Sequence, residues 1–83
     1  MPRSNYTFAG GIDVLKAREI EEAAAKDPKK AAKQFKLSKT TYGAGNYTIF
    51  SGKPDWNSPI PHVQGRLLGA EEKAFLDAIP KLK

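Results

Sequence analysis

The sequence predicts an α+β fold: three short helices with a small antiparallel β-sheet of two or three strands. Three observations predict it. Two helical periods meet at the dipeptide Asp27-Pro28, β-branched and aromatic runs lie at 5–9, 40–42 and 46–50, and a last helical period precedes Pro80. All 83 residues, 1–83, are expected to form one small basic domain, with a core just large enough to fold unaided.

The first run, Asn5-Tyr6-Thr7-Phe8-Ala9, is β-prone and ends in Gly10-Gly11, which predicts a strand and a turn. Asp13 can then cap a helix from about Val14 to Lys26, whose apolar stripe is Val14, Ala17, Ile20 and Ala24. Arg18, Glu22 and Lys26 follow at i, i+4 and are expected to form exposed pairs, each contributing about 0.2–0.5 kcal/mol. This helix reads as scaffold.

The Asp27-Pro28 junction ends that helix and begins another. A residue before proline is pushed out of α geometry, Asp27 is a good N-cap, and Pro28 suits the first helical position because its missing N–H costs nothing there. The helix is expected to occupy 27–36. At about 100° per residue, Ala31, Ala32 and Phe35 share one stripe, and Lys29, Lys33, Lys36 and, at the margin, Lys30 lie opposite. One face packs and the other is cationic. Lys29 and Lys30 stand in the first turn, where the helix dipole disfavours positive charge by about 0.3–1 kcal/mol per group. The fold gains nothing from them there. They read either as a solvated face or as a surface that attracts phosphate or carboxylate groups, helped by the outward amides of the helix N-terminus.

The segment 31–42 superficially resembles a helix-turn-helix. The resemblance fails where a recognition helix would continue, because Gly43-Ala44-Gly45 brings two poor helix formers. A hairpin fits better, with Thr40-Thr41-Tyr42 and Asn46-Tyr47-Thr48-Ile49-Phe50 as strands and the three small residues as their connection. From 51 to 69 the chain reads as irregular, with Pro54, Pro59 and Pro61, pinned by Trp56, Ile60, Val63, Leu67 and Leu68. A final helix opens at Gly69 or Ala70 and runs through Ile79, with Glu71 and Glu72 in its first turn. The tail 81–83 is expected to fray.

The net charge of +5 is local. Residues 26–53 carry seven lysines against Asp27 alone, a net of +6, whereas 1–25 sum to −1 and 54–83 to zero. Such a patch is an electrostatic footprint, and charge alone does not choose among nucleic acid, an acidic protein and an anionic membrane. No run approaches membrane-spanning length and no signal-peptide core follows Met1, so the chain is expected to be cytoplasmic and to have no membrane partner. With no cysteine there is neither a disulfide scaffold nor a thiolate zinc site.

Catalytic patterns are largely missing. Gly52-Lys53 has Tyr47 where a phosphate-binding loop needs its first glycine and Pro54 where it needs a hydroxyl, and 43–48 fails the dinucleotide fingerprint. His62 is the single histidine and cannot complete a metal site of ordinary ligand spacing. Ser51, Ser58 and Asp55 lie near it in sequence. A metal-independent nuclease using His62 with Lys53 or Arg66 is the weakest of the readings, and loss of a measured activity in His62→Ala would be its minimum support. No enzyme activity, cofactor or metal is expected.

The leading expectation is a non-enzymatic domain that docks on nucleic acid, mainly by phosphate contacts, through Lys29, Lys30, Lys33 and Lys36, with Lys26, Lys39 and Lys53 at the edge. Tyr42, Tyr47 and Trp56 are candidates for stacking on bases, or else for the core. The alternative is a small protein-binding inhibitor or adaptor, of the accessory type found in phages and mobile elements. Its lysine face would engage an acidic or nucleic-acid-binding surface of a target protein.

Overall fold

The computed structural model describes residues 4–41, 46–52 and 62–82. In chain order these form β1 (Tyr6–Ala9), α1 (Val14–Lys26), α2 (Pro28–Gln34), β2 (Leu37–Thr41), β3 (Tyr47–Ser51), β4 (Val63–Gln64) and α3 (Ala70–Ala78). The fold is α+β, with three helices and four strands among the described residues.

The sheet differs from the small antiparallel one expected. Its order is β2-β3-β1-β4, and it is mixed: β2 with β3 and β1 with β4 are antiparallel, while β1 and β3 run parallel. Tyr6, Thr7, Phe8 and Ala9 stand beside Tyr47, Thr48, Ile49 and Phe50. The physical reason lies in the connection. Between β1 and β3 the chain passes through α1, α2 and the antiparallel β2, so β3 arrives pointing the same way as β1. The fourth strand comes from the stretch expected to be irregular; its Val63 and Gln64 pair with Phe8 and Thr7.

Alternation along the strands places Tyr6, Phe8, Ile49 and Leu37 on the helix-bearing face, where they join Ile20, Phe75 and Ile79 in one core cluster. Tyr6 and Phe75, and Tyr6 and Phe8, meet edge to face with ring centroids 5.8 and 5.5 Å apart. In α1 the packed stripe is Ala17, Ile20, Glu21 and Ala24. Val14, expected to extend the stripe, is 55% exposed. It is the first residue of the helix.

Helix α1 is capped as expected, with Asp13 Oδ1 accepting from the Lys16 N–H at 2.8 Å. The expected i, i+4 pairs are not formed. Arg18 instead pairs with Glu21, one residue nearer, and Glu21 is buried. Its carboxylate also accepts from the Tyr6 hydroxyl at 2.5 Å and from the backbone N–H groups of Arg66 at 2.5 Å and Leu67 at 3.3 Å. The Tyr6 oxygen in turn accepts from the Leu67 N–H at 3.0 Å. Strand β1, helix α1 and the segment after β4 are thereby joined through one carboxylate.

Of the tail expected to fray, residues 81 and 82 are pinned, and Lys83 lies outside the described residues. Lys39 donates its N–H to the Pro80 carbonyl at 2.9 Å, and the Leu82 N–H donates to the Lys39 carbonyl at 2.5 Å. Residues 80–82 thus cover part of the open edge of β2, which an unpaired strand would otherwise leave as a template for association.

The Tyr6 environment makes two outcomes measurable. Gly65 lies flush on the Tyr6 ring, and a Cβ there would collide with Tyr6 Cε2. Gly65→Ala is therefore expected to lower stability by about 1–3 kcal/mol in urea unfolding, the usual range for overpacking. An unchanged midpoint would show that the ring yields freely. Burial first, and the bond to Glu21 second, push the Tyr6 phenol well above its ordinary value of 10.0. The unfolded chain ionises first, so the stability Tyr6 supplies is complete below about pH 10 and is lost as pH rises beyond it, by up to about 1.4 kcal/mol per pH unit. Urea midpoints followed through this alkaline range should fall more steeply for the wild type than for Tyr6→Phe.

Candidate nucleic-acid interface

The candidate site is built on the corner between α1 and α2. Asp27 serves both helices: its N–H donates to the Ala23 carbonyl at 2.9 Å, closing α1, and its carboxylate accepts from the Lys30 N–H at 3.1 Å, opening α2 with Pro28 at the first position. This corner follows the sequence reading. It also changes one part of it, because a carboxylate occupies the amide end of α2. Any anion-binding capacity here belongs to the lysine side chains.

Helix α2 ends at Gln34, two residues short of the expected 36. Phe35 caps it, with its N–H on the Ala31 carbonyl at 3.1 Å, and Lys36 takes a left-handed conformation with φ of 52°. The turn is closed by the Lys36 N–H on the Lys33 carbonyl at 3.2 Å and by the Gly52 N–H on the Lys36 carbonyl at 3.0 Å. A left-handed lysine is uncommon. Here it reverses the chain between α2 and β2, where glycine would be the ordinary choice.

Ala31 and Ala32 are buried, and Phe35 is half-buried against the core. Lys26, Lys29, Lys30, Lys33 and Lys36 are all exposed. Among the described residues the single ion pair is Arg18–Glu21, so none of these five ammonium groups is committed to a carboxylate there. The structure brings them together on one corner of the molecule, from the last turn of α1 through α2 to the reversal at Lys36.

Lys39 does not belong with them. It is 9% exposed, its Nζ donates to the Leu76 carbonyl near the C-terminus of α3, and it lies 5.0 Å from the centroid of the Tyr47 ring. Its strand position explains this: Lys39 pairs with Ile49, so its side chain projects on the same face as that core residue. Burial lowers its affinity for a proton, Asp77 opposes that shift and Lys81 adds to it. The ammonium complements the negative end of α3. Tyr47, a stacking candidate, is half-buried under this lysine. Lys53, Tyr42 and Trp56 lie outside the described residues.

Ser51, a sequence neighbour of His62, donates to the Phe35 carbonyl at 2.8 Å. Asp55 and Ser58 lie outside the described residues. His62 is exposed and lines a polar cleft of about 310 Å³ with Ser4, Asn5, Asn46, Tyr47 and Gln64. The Ser4 hydroxyl is turned to the Gly65 carbonyl at 2.5 Å. Among the described residues no group of three His, Asp or Glu side chains converges on a metal position, and no helix is long and apolar enough to cross a membrane.

Sequence reasoning misses the two buried carboxylates. Glu21 has no part in the pairs expected on α1, and Glu72 reads as a first-turn acid; Glu72 is buried and accepts from Asn5 Nδ2 at 3.1 Å. The available signal for Glu21 is its place at i+4 from Ala17, on the packed stripe. Both carboxylates organise the fold and neither faces the lysine corner.

The fold and the lysine corner together define a class, a basic α+β domain with a cationic helical corner. Comparison with known protein families, characterised proteins and solved structures finds no match.

The two kinds of lysine should separate in unfolding experiments. Lys39→Ala is expected to cost about 1–3 kcal/mol in urea unfolding, through lost packing and an α3 end stripped of its donor, whereas Lys29→Ala should remain within about 0.5 kcal/mol of wild type. Equal effects of the two substitutions would show that Lys39 is no more structural than the surface lysines.

Proposed function

We propose that the chain is a non-enzymatic domain that docks on nucleic acid, with the α2 lysines gripping phosphates. One observation carries the reading: five exposed lysines, Lys26, Lys29, Lys30, Lys33 and Lys36, share one corner and none is neutralised by an ion pair among the described residues. Unpaired surface cations at that density raise the local concentration of polyanions, and their binding releases counterions from the nucleic acid. Lysine is a flexible point charge and lacks the planar fork of arginine, so binding should follow charge and shape in preference to base sequence.

A second reading draws on a different observation. Glu19, Glu22 and Asp27 line the same groove as Lys26 and Lys30, between α1 and α2, with Ala23, Ala31 and Phe35 on its walls. A groove with both signs of charge around apolar walls suits a protein partner, and an inhibitor or adaptor would use it with the lysine corner.

Anisotropy of fluorescent duplex and single-stranded oligonucleotides, at low and at physiological salt, tests the first reading. Binding that weakens steeply with salt and is lost in the Lys29→Ala/Lys33→Ala/Lys36→Ala variant is expected. Absence of binding by the folded wild type at low salt would remove nucleic acid as the direct ligand and leave the protein target as the reading to pursue.

A further inference from the structure

The outward side of α1 carries a charge order that a second copy of the chain complements. At about 100° per residue, Leu15, Glu19, Glu22 and Lys26 fall within a stripe about 60° wide, opposite the buried Ala17, Ile20, Glu21 and Ala24. All four are exposed, and Leu15, at 81%, is the most exposed large apolar side chain among the described residues. Along the stripe the order is apolar, acidic, acidic, basic. Glu22 and Lys26 stand at i, i+4 with the Glu first, the favourable order for a pair on a helix, yet neither they nor Glu19 enter an ion pair among the described residues. Both signs of charge are left available on one face.

The groove beside α2 widens this face. It holds about 420 Å³ and is bounded by Glu19, Glu22 and Lys26 on α1 and by Lys30 on α2, with Ala23 and the half-buried Phe35 between them. Acid therefore lies toward the start of α1, base toward its end, and apolar atoms in the middle. Such an order is self-complementary. A two-fold axis across the stripe lays two copies of α1 side by side and antiparallel, so that residue i of one meets j of the other and j meets i. With the axis between Glu22 and Ala23, Glu19 of each copy stands opposite Lys26 of the other. The same register carries Leu15 to the α1–α2 corner of the other copy, where the methylene stem of Lys30 offers it an apolar surface. A parallel pairing would set Glu19 on Glu19 and Lys26 on Lys26, so the charges select the antiparallel one. A foreign partner would have to present this order in reverse. A second copy does so by symmetry alone.

We propose that the chain self-associates into a two-fold dimer through the outward face of α1 and its groove with α2, with Glu19 of each copy on Lys26 of the other and Leu15 covered at the partner's corner. The net charge of +5 on each chain opposes association in general, which favours the contact that brings opposite signs together over all others. Lys29, Lys33 and Lys36 do not line the groove. Dimerisation and phosphate binding by those lysines are therefore compatible, and neither requires the other.

Sedimentation velocity of the full chain over about a hundredfold range of concentration tests the dimer. The wild type is expected to move from the 9.1 kDa monomer toward twice that mass as concentration rises. Glu19→Lys should weaken association at least about tenfold, because the two-fold axis turns one substitution into two like-charge contacts. Glu19→Lys/Lys26→Glu exchanges the two ends at constant net charge and should return the dimer to within about threefold of wild type. Leu15→Gln should weaken it by about tenfold, again through two copies of one lost contact. These positions are exposed, and circular dichroism on each variant checks that the fold is kept. A monomer at every concentration would overturn the dimer. Self-association unchanged by Glu19→Lys and by Leu15→Gln would overturn the assigned face, and a double substitution no better than Glu19→Lys alone would overturn the pairing of Glu19 with Lys26. The assay contains no oligonucleotide, so its outcome leaves the proposed function to its own test.

Discussion

The buried carboxylate of Glu21 is the interaction on which most of the structure depends. It accepts from Tyr6, from Arg18 and from the backbone N–H groups of Arg66 and Leu67. A buried charge is tolerated only when its lone pairs are satisfied, and losing one partner exposes the full desolvation cost of what remains. Here the donors come from three separate parts of the chain. The carboxylate therefore fixes the distance between β1 and α1 and holds the segment that leads from β4 to α3. Gly65 on the Tyr6 ring and the Ser4 hydroxyl on the Gly65 carbonyl reinforce the same junction from its other side. A two-residue strand such as β4 could not hold an edge alone; the Arg66 and Leu67 amides, anchored on Glu21, set its position.

Local chemistry makes part of this legible in the sequence. Asp13, Asp27 and Pro28 act through hydrogen bonds and steric limits that span only a few residues, so the starts of α1 and α2 and the corner between them can be read directly. Strand β3 is visible in its β-branched and aromatic residues, but of β2 only Thr40 and Thr41 are, because the strand begins at Leu37 and not at the expected Thr40, and Tyr42 and the expected connection 43–45 lie outside the described residues. The parallel pairing of β1 with β3 is not, because it depends on the direction in which a strand returns after two helices and a reversal, and no residue within the strand encodes that. Lys36 reads as a continuing helical lysine, yet helix propensity says little about a residue whose carbonyl closes a turn onto the Gly52 N–H in a distant part of the chain.

The charge pattern has the same limit. Seven lysines in the middle of the chain are countable, and their sum says nothing about which of them face water. Strand alternation carries Lys39 to the face it shares with Ile49, where a carbonyl of α3 and the Tyr47 ring receive the ammonium. Helical periodicity carries Lys29, Lys30 and Lys33 outward because Ala31 and Ala32 occupy the packed side. One lysine therefore fastens the C-terminal helix to the sheet, while its neighbours remain available. The candidate site is legible where the element type is read correctly, and it is misassigned where the type changes from helix to strand.

That division bears on how the lysine corner can act. Helix α2 touches α1, α3 and β2, so a short segment of seven residues is held on three sides and does not depend on its own helical propensity. Its two inward alanines bring the backbone close to its neighbours, and the outward side chains are long and flexible. The result is a rigid base carrying mobile charges. Both signs of charge meet on this base, since Glu19, Glu22 and Asp27 share one groove with Lys26 and Lys30, and Asp27 also lies beside Lys29 and Lys33. Selectivity of such a surface comes from where the negative charges sit as much as from the number of positive ones.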